Sequence, residues 1–130
     1  MSIAETVNAK YVFLDVVGYS RGRTIEAQSH IIEVLNGAIL EAVAASGVPK
    51  DKVLLLPTGD GVGIVCVDVP RPYDVDVRLA LDILARIDAL NSGQNDAQRR
   101  FQIRIGVNEN IDNLVVDVNG NRNVDDEVVD

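Results

Sequence analysis

The sequence predicts an α+β fold, a ferredoxin-like βαββαβ core with an additional β-hairpin. Three observations predict it. Apolar runs at Lys10–Val17, Val53–Leu56, Val62–Val67 and Phe101–Val107 are short and bounded by Gly, Pro or polar clusters, as strands are. Two longer segments, Thr24 to about Ser46 and Asp74 to about Asn91, repeat apolar residues in steps of three and four, as helices do. Their order along the chain is the split β-α-β arrangement.

Taken in order, Met1–Ala9 is expected to be a frayed lead-in and Lys10–Val17 the first strand. Gly18–Arg23 is a loop, and Thr24 is a suitable N-cap for the first helix. That helix carries Ile32, Leu35, Ile39 and Val43 as its apolar stripe, and Gly47 with Pro49 beyond it supplies the stop. Lys52–Val67, KVLLLPTGDGVGIVCV, reads as a hairpin with a turn at Pro57–Gly61, and its weak alternation predicts strands covered on both faces. Asp74 and Asp76 open the second helix, where negative charge suits the N-terminal dipole, and Val77, Ala80, Leu81, Leu84 and Ile87 form its predicted inner face. Ser92–Arg99 is a polar loop. Phe101–Val107 and Leu114–Val118 are predicted as two further strands, the second turned by Asn119-Gly120.

A chain of 130 residues is one domain by length, and 47% hydrophobic residues supply a substantial core. Aromatics are only 4% and Trp is absent, so that core must be built from Val, Leu, Ile and Ala. A net charge of −8 argues against nucleic acid or an anionic membrane as partner, but not against nucleotides. The single Cys66 excludes an internal disulfide and fits a reducing compartment. Met1–Asn8 has neither a basic nor an apolar targeting region, and no run reaches membrane-spanning length, so a cytoplasmic protein is expected.

Two acids stand out. Asp60 is the only charge in the tip of the hairpin and is flanked by Gly59 and Gly61, which allow close backbone and ligand approach. Asp15 is the only acid in the first strand and is followed by Gly18 and Ser20. Two strands of one sheet, each with an Asp near its end, can place two carboxylates side by side, and Mg²⁺ is bound by a few such oxygens. A turn would also favour Asp beside Gly, and a strand-end Asp can cap a turn.

The segments FLDVVGYS, LPTGDGVGIV and IRIGVNENIDNLVVDVNGNRNV, in this order and spacing from Lys10 to Val124, resemble the class III nucleotidyl (adenylate/guanylate) cyclase catalytic domain. The resemblance implies an elaborated ferredoxin-like fold and conversion of a nucleoside triphosphate to a 3′,5′-cyclic nucleotide plus pyrophosphate. It implies two Mg²⁺ or Mn²⁺ ions held by Asp15, Asp60 and the backbone carbonyl of Val16. It assigns phosphate binding to the amides of Val17, Gly18, Tyr19 and Ser20, and base reading to positions 56 and 123. It also implies a site at a dimer interface, in a homodimer or a heterodimer with a homologous cyclase.

The sequence departs from that family in two places. Leu56 stands where an adenine-reading lysine is usual and Asn123 where an Asp is usual, which leaves open a different base, including a pyrimidine. The family continues into a helix with an Asn and an Arg four residues apart, which orient the ribose and stabilise the transition state. Here the acidic tail, residues 119–130, ends in Asp125–Asp130, with no residue there to replace that Arg. The 130-residue chain alone is therefore expected to be impaired, with Arg104 and Arg122 first in line as substitute cations. A non-catalytic nucleotide-binding or dimerising module and a purely structural domain are the other readings. Arg21 and Arg23 read as solvated loop residues, His30 as a packing or surface residue and Cys66 as core.

Overall fold

The computed structural model of the chain describes residues 4–59, 61–116 and 121–124. Five strands form one antiparallel sheet: β1 (Ala4–Val16), β2 (Val53–Pro57), β3 (Gly61–Val67), β4 (Ile103–Val116) and β5 (Arg122–Val124). Their order in the sheet is β2-β3-β1-β4-β5. Helices α1 (Ile25–Ser46) and α2 (Val75–Ser92) follow β1 and β3 in the chain and pack on one face. The first four strands have the predicted ferredoxin-like arrangement, with β5 added at the β4 edge.

Both ends of α1 form as expected. The Thr24 hydroxyl accepts from the Ala27 amide at 3.1 Å, a cap worth about 1 kcal/mol, and Gly47 turns left-handed at φ 75° to close the last turn. Ala27, Ile31, Leu35, Ala38, Ile39 and Ala42 are buried, while Ile32 and Val43 of the predicted stripe are half-buried at its margin. Ile31, Leu35, Ala38, Ile39 and Ala42 join Val12, Leu14 and Val16 of β1 and Ile64 and Cys66 of β3 in the main core.

Helix α2 buries a face rotated from the one predicted, sharing only Ala80 and Ile87 with it. Val75, Leu79, Ala80, Ile83 and Ile87 are buried, whereas Val77, Leu81 and Leu84 are 42%, 61% and 41% exposed. This helix carries two apolar stripes, and the one that packs against β1 and β3 is buried. Lys10, only 3% exposed, donates from Nζ to the carbonyls of Val69 (2.9 Å) and Tyr73 (2.7 Å) and so anchors the segment that leads into the helix.

Strand boundaries differ from expectation at both ends of the chain. Residues 4–9, predicted as lead-in, belong to β1, and residues 103–116 form one strand in place of the two predicted. The cause is mutual: Ala4–Val16 and Ile103–Val115 pair without interruption, each giving the other a hydrogen-bonding partner. The Asn119-Gly120 turn lies outside the described residues, as does most of the acidic tail.

The sheet face away from the helices is also covered. Val7, Ala9 and Tyr11 of β1 are buried there with Leu54, Val65, Val67, Leu114 and Val124, residues drawn from all five strands. A short hydrogen bond runs from the Arg122 side chain on β5 to the Asp51 carbonyl just before β2, although these strands are opposite edges. The sheet therefore curls over this second core, and β3 is buried on both faces as predicted, whereas β2 is an edge strand that leaves Leu55 and Pro57 exposed, contrary to the expectation for it.

Candidate active site

Asp15 lies at the end of β1, on the face away from the helices. Strand alternation puts it on the same face as Tyr11 and Phe13, whose rings stack at 5.4 Å. Its neighbour across the sheet on one side is Gly61, and on the other side it is Arg104. The row above the second core thus reads Gly61–Asp15–Arg104, and the next row reads Leu56–Gly63–Phe13–Gly106.

The contact between β1 and β3 at this row is unusually close. A Cβ at position 61 would lie 2.1 Å from the Leu14 carbonyl oxygen and 2.9 Å from the Asp15 Cα. Only glycine fits there. The hairpin closes directly below it, with the Thr58 amide donating to the Gly61 carbonyl at 3.1 Å and Gly59 at φ 87°. Asp60, next to Gly61 in the chain, lies outside the described residues.

Asp15 is not a bare acid. The Arg104 guanidinium grips it with two hydrogen bonds, Nε to Oδ1 at 3.1 Å and Nη2 to Oδ2 at 3.0 Å. The pair is solvent-facing, with side-chain exposures of 38% for Asp15 and 73% for Arg104. A cation therefore already sits where the sequence places a metal ligand. Sequence reasoning named Arg104 only as a substitute cation. The usable signal was Ile103-Arg104-Ile105, one charge in an alternating run, but its partner depends on the strand register.

The loop after β1 begins with the Val17 amide donating to the Gln102 carbonyl at 2.9 Å. Gly18 then takes φ 57°, a left-handed conformation that glycine adopts without strain, and the Arg21 amide closes a turn on its carbonyl. Val17, Gly18 and Ser20 are exposed, while Tyr19 packs its ring against the helix-side core. Of the base-reading positions, Leu56 shares Asp15's face and is packed against the second core. Asn123 lies opposite Val115, so alternation puts it on the other face, and its Oδ1 accepts from the Val124 amide. The structure thus brings Leu56 to Asp15's side of the sheet but not Asn123.

The donor chemistry fits a hard divalent cation, because a carboxylate at an open, water-accessible strand end supplies the oxygen ligands that Mg²⁺ and Mn²⁺ take. Among the described residues there is no cluster of three or more His, Cys, Asp or Glu side chains that could hold a metal ion. His30 lies half-buried on α1, and Cys66 is fully buried opposite Lys10, away from Asp15 along β1. No helix among the described residues is long and apolar enough to cross a membrane.

No family model matches the sequence, and no curated protein is detectably similar to it. The fold has clear relatives among solved structures. A bacterial light-regulated adenylyl cyclase superposes with a TM-score of 0.80 over 99% of this chain, at 13% identity. The chain spans 39% of the length of that protein. The catalytic core of a rhodopsin-guanylyl cyclase with converted specificity, in complex with ATPαS, matches with a TM-score of 0.64 and 22% identity. That match covers 97% of this chain and 69% of the other. A non-canonical dimeric guanylyl cyclase domain of the RhoGC fusion protein from the aquatic fungus Blastocladiella emersonii matches with a TM-score of 0.63 and 21% identity, covering 99% of this chain and 73% of that one. The fold of this chain is that of adenylyl and guanylyl cyclase catalytic domains.

Proposed function

We propose that this chain supplies the metal- and phosphate-binding half of a nucleotidyl cyclase site. In that reaction a nucleoside triphosphate is converted to a 3′,5′-cyclic nucleotide and pyrophosphate. The observation that carries the reading is the row Gly61–Asp15–Arg104. It places a solvent-facing carboxylate against the glycine that follows Asp60, at the open end of a cyclase-type sheet.

In this reading Asp15, Asp60 and the Val16 carbonyl hold two Mg²⁺ or Mn²⁺ ions. Once bound, such ions lower the pKa of the ribose 3′-hydroxyl and offset the charge of the departing pyrophosphate. The amides of Val17–Ser20 wrap the phosphates. Arg104, released when a metal takes Asp15, turns its fork of donors to the phosphates, a geometry suited to guanidinium. Leu56 offers no hydrogen bond to a base, so the base is chosen by shape and apolar contact and need not be adenine; a pyrimidine is included. The Asn and Arg of the reaction come from a homologous cyclase in a heterodimer. A cytoplasmic location, with no nucleic-acid or membrane partner, is part of the same proposal.

The ion pair also favours a second reading. A carboxylate already neutralised by Arg104 needs no metal, as in a non-catalytic nucleotide-binding or dimerising module. Calorimetric titration with Mn²⁺, comparing wild type with Asp15→Asn, separates the two. Binding lost in Asp15→Asn supports the cyclase reading, and equal or absent binding in both proteins overturns it.

A further inference from the structure

We infer that Arg23 is a positioning residue for the phosphate loop, acting through the carbonyls of Gly18 and Tyr19; the inference rests on the nucleotide-site reading above. Sequence reasoning placed this arginine in solvent. Instead it is half-buried and engaged with four main-chain carbonyls. Nη1 donates to Gly18 (2.5 Å) and Tyr19 (3.0 Å), Nε to Gln98 (2.9 Å) and Nη2 to Arg100 (3.0 Å). Four of its five N–H groups are thus in use, too many for it to serve also as a bidentate phosphate ligand.

What those bonds do follows from peptide geometry. The Gly18–Tyr19 and Tyr19–Ser20 units are trans, so the carbonyl and the N–H of each point in opposite directions. Drawing the two carbonyls onto one guanidinium sends the N–H groups of Tyr19 and Ser20 the other way. Two successive amides aimed to one side are an anion-binding concavity. The other two bonds tie the loop to Gln98 and Arg100, the segment that leads into β4 and to Arg104. The Thr24 amide adds a bond to the Gln98 side chain at 3.0 Å. No carboxylate pairs with Arg23 among the described ion pairs, so its charge adds to the loop's affinity for anions.

The test is an NMR titration of the ¹⁵N-labelled polypeptide, first with Mg²⁺ and then with pyrophosphate. Wild type, Arg23→Lys and Arg23→Ala are compared, the last with and without added guanidinium. In wild type the Tyr19 and Ser20 amide resonances should move with pyrophosphate. In Arg23→Lys, which keeps the charge but not the fork, pyrophosphate affinity should fall about tenfold, the worth of one or two net hydrogen bonds. The Asp15 resonance should still respond to Mg²⁺ as in wild type. Guanidinium, but not equal sodium chloride, should restore part of the affinity of Arg23→Ala; if that variant does not fold, Arg23→Lys decides. Unchanged pyrophosphate affinity in Arg23→Lys overturns the inference while leaving the cyclase reading in place. Absence of any pyrophosphate response in wild type overturns both.

Discussion

Replacing Gly61 by alanine tests the geometry on which the site depends. The added methyl would meet the Leu14 carbonyl oxygen at 2.1 Å, the Asp15 Cα at 2.9 Å and the Leu14 carbonyl carbon at 3.0 Å, all of them backbone atoms. A flexible side chain could yield, but β1 and β3 are interior strands of the sheet and cannot part without breaking their ladder. Overpacking of this kind costs about 1–3 kcal/mol, and contact with backbone belongs at the upper end. At about 3–4 °C per kcal/mol for a chain of this size, the melting temperature should fall on the order of 10 °C. Gly63→Ala is the matched control on the same strand and face, since its methyl would meet nothing nearer than 3.6 Å. Gly106→Ala meets nothing within 4 Å and should be neutral or slightly stabilising. Thermal unfolding by circular dichroism reads all three. If Gly61→Ala melts within 2–3 °C of Gly63→Ala, a difference of less than about 1 kcal/mol, the close approach of β1 and β3 beside Asp15 is wrong.

Further outcomes are expected elsewhere. Arg104→Gln should change stability by less than about 1 kcal/mol, because the pair is exposed. It should weaken triphosphate binding about tenfold if the guanidinium serves phosphate, as isothermal calorimetry would read, and unchanged binding would leave Arg104 a surface partner only. Lys10→Met strands the Val69 and Tyr73 carbonyls in a buried site and should cost about 2–4 kcal/mol in urea unfolding; a smaller loss would mean that water replaces the ammonium there. Burial pushes the Cys66 thiol up to about 11, with Asp76 raising it further and Lys10 opposing. The unfolded chain then releases this proton first as pH rises. Stability contributed by the neutral thiol is full below about pH 9 and is lost by about pH 11, some 2–3 kcal/mol in all. Cys66→Ala should show a flatter stability profile over that window, and an identical slope would remove Cys66 as its cause.

How much of this was legible in the sequence varies with the physical signal. The caps of α1 are local chemistry, a hydroxyl and a left-handed glycine, and both ends were readable from Thr24 and Gly47. The Pro57–Gly61 turn was equally plain. Helix α2 was not, because Val75, Leu79, Ile83 and Val77, Leu81, Leu84 are both valid apolar stripes, and the choice between them is made by packing against strands distant in sequence. The length of β4 was hidden for a related reason. Asn108-Glu109-Asn110 is polar and reads as a loop, yet it pairs with Ala9-Lys10-Tyr11 and is held extended by β1. At the site, Asp15 was visible as one acid in an apolar run. Its partner Arg104 and the crowding at Gly61 follow from register, which no local pattern specifies. The opposite faces of Leu56 and Asn123 were hidden for the same reason.

The most direct test of the central claim is cyclic-nucleotide formation by a heterodimer. The 130-residue polypeptide is mixed with a homologous cyclase whose own metal-binding aspartates are replaced by alanine, and supplied with Mn²⁺ and each of ATP, GTP, CTP and UTP. The account predicts no measurable product from the homologue alone, which then lacks the metal half of the site. The mixture should form product at one site per dimer and lose it with Asp15→Ala or Asp60→Ala in this chain. A mixed dimer that assembles but forms no product, or product that survives Asp15→Ala, would contradict the claim that this chain carries the metal and phosphate half of a cyclase.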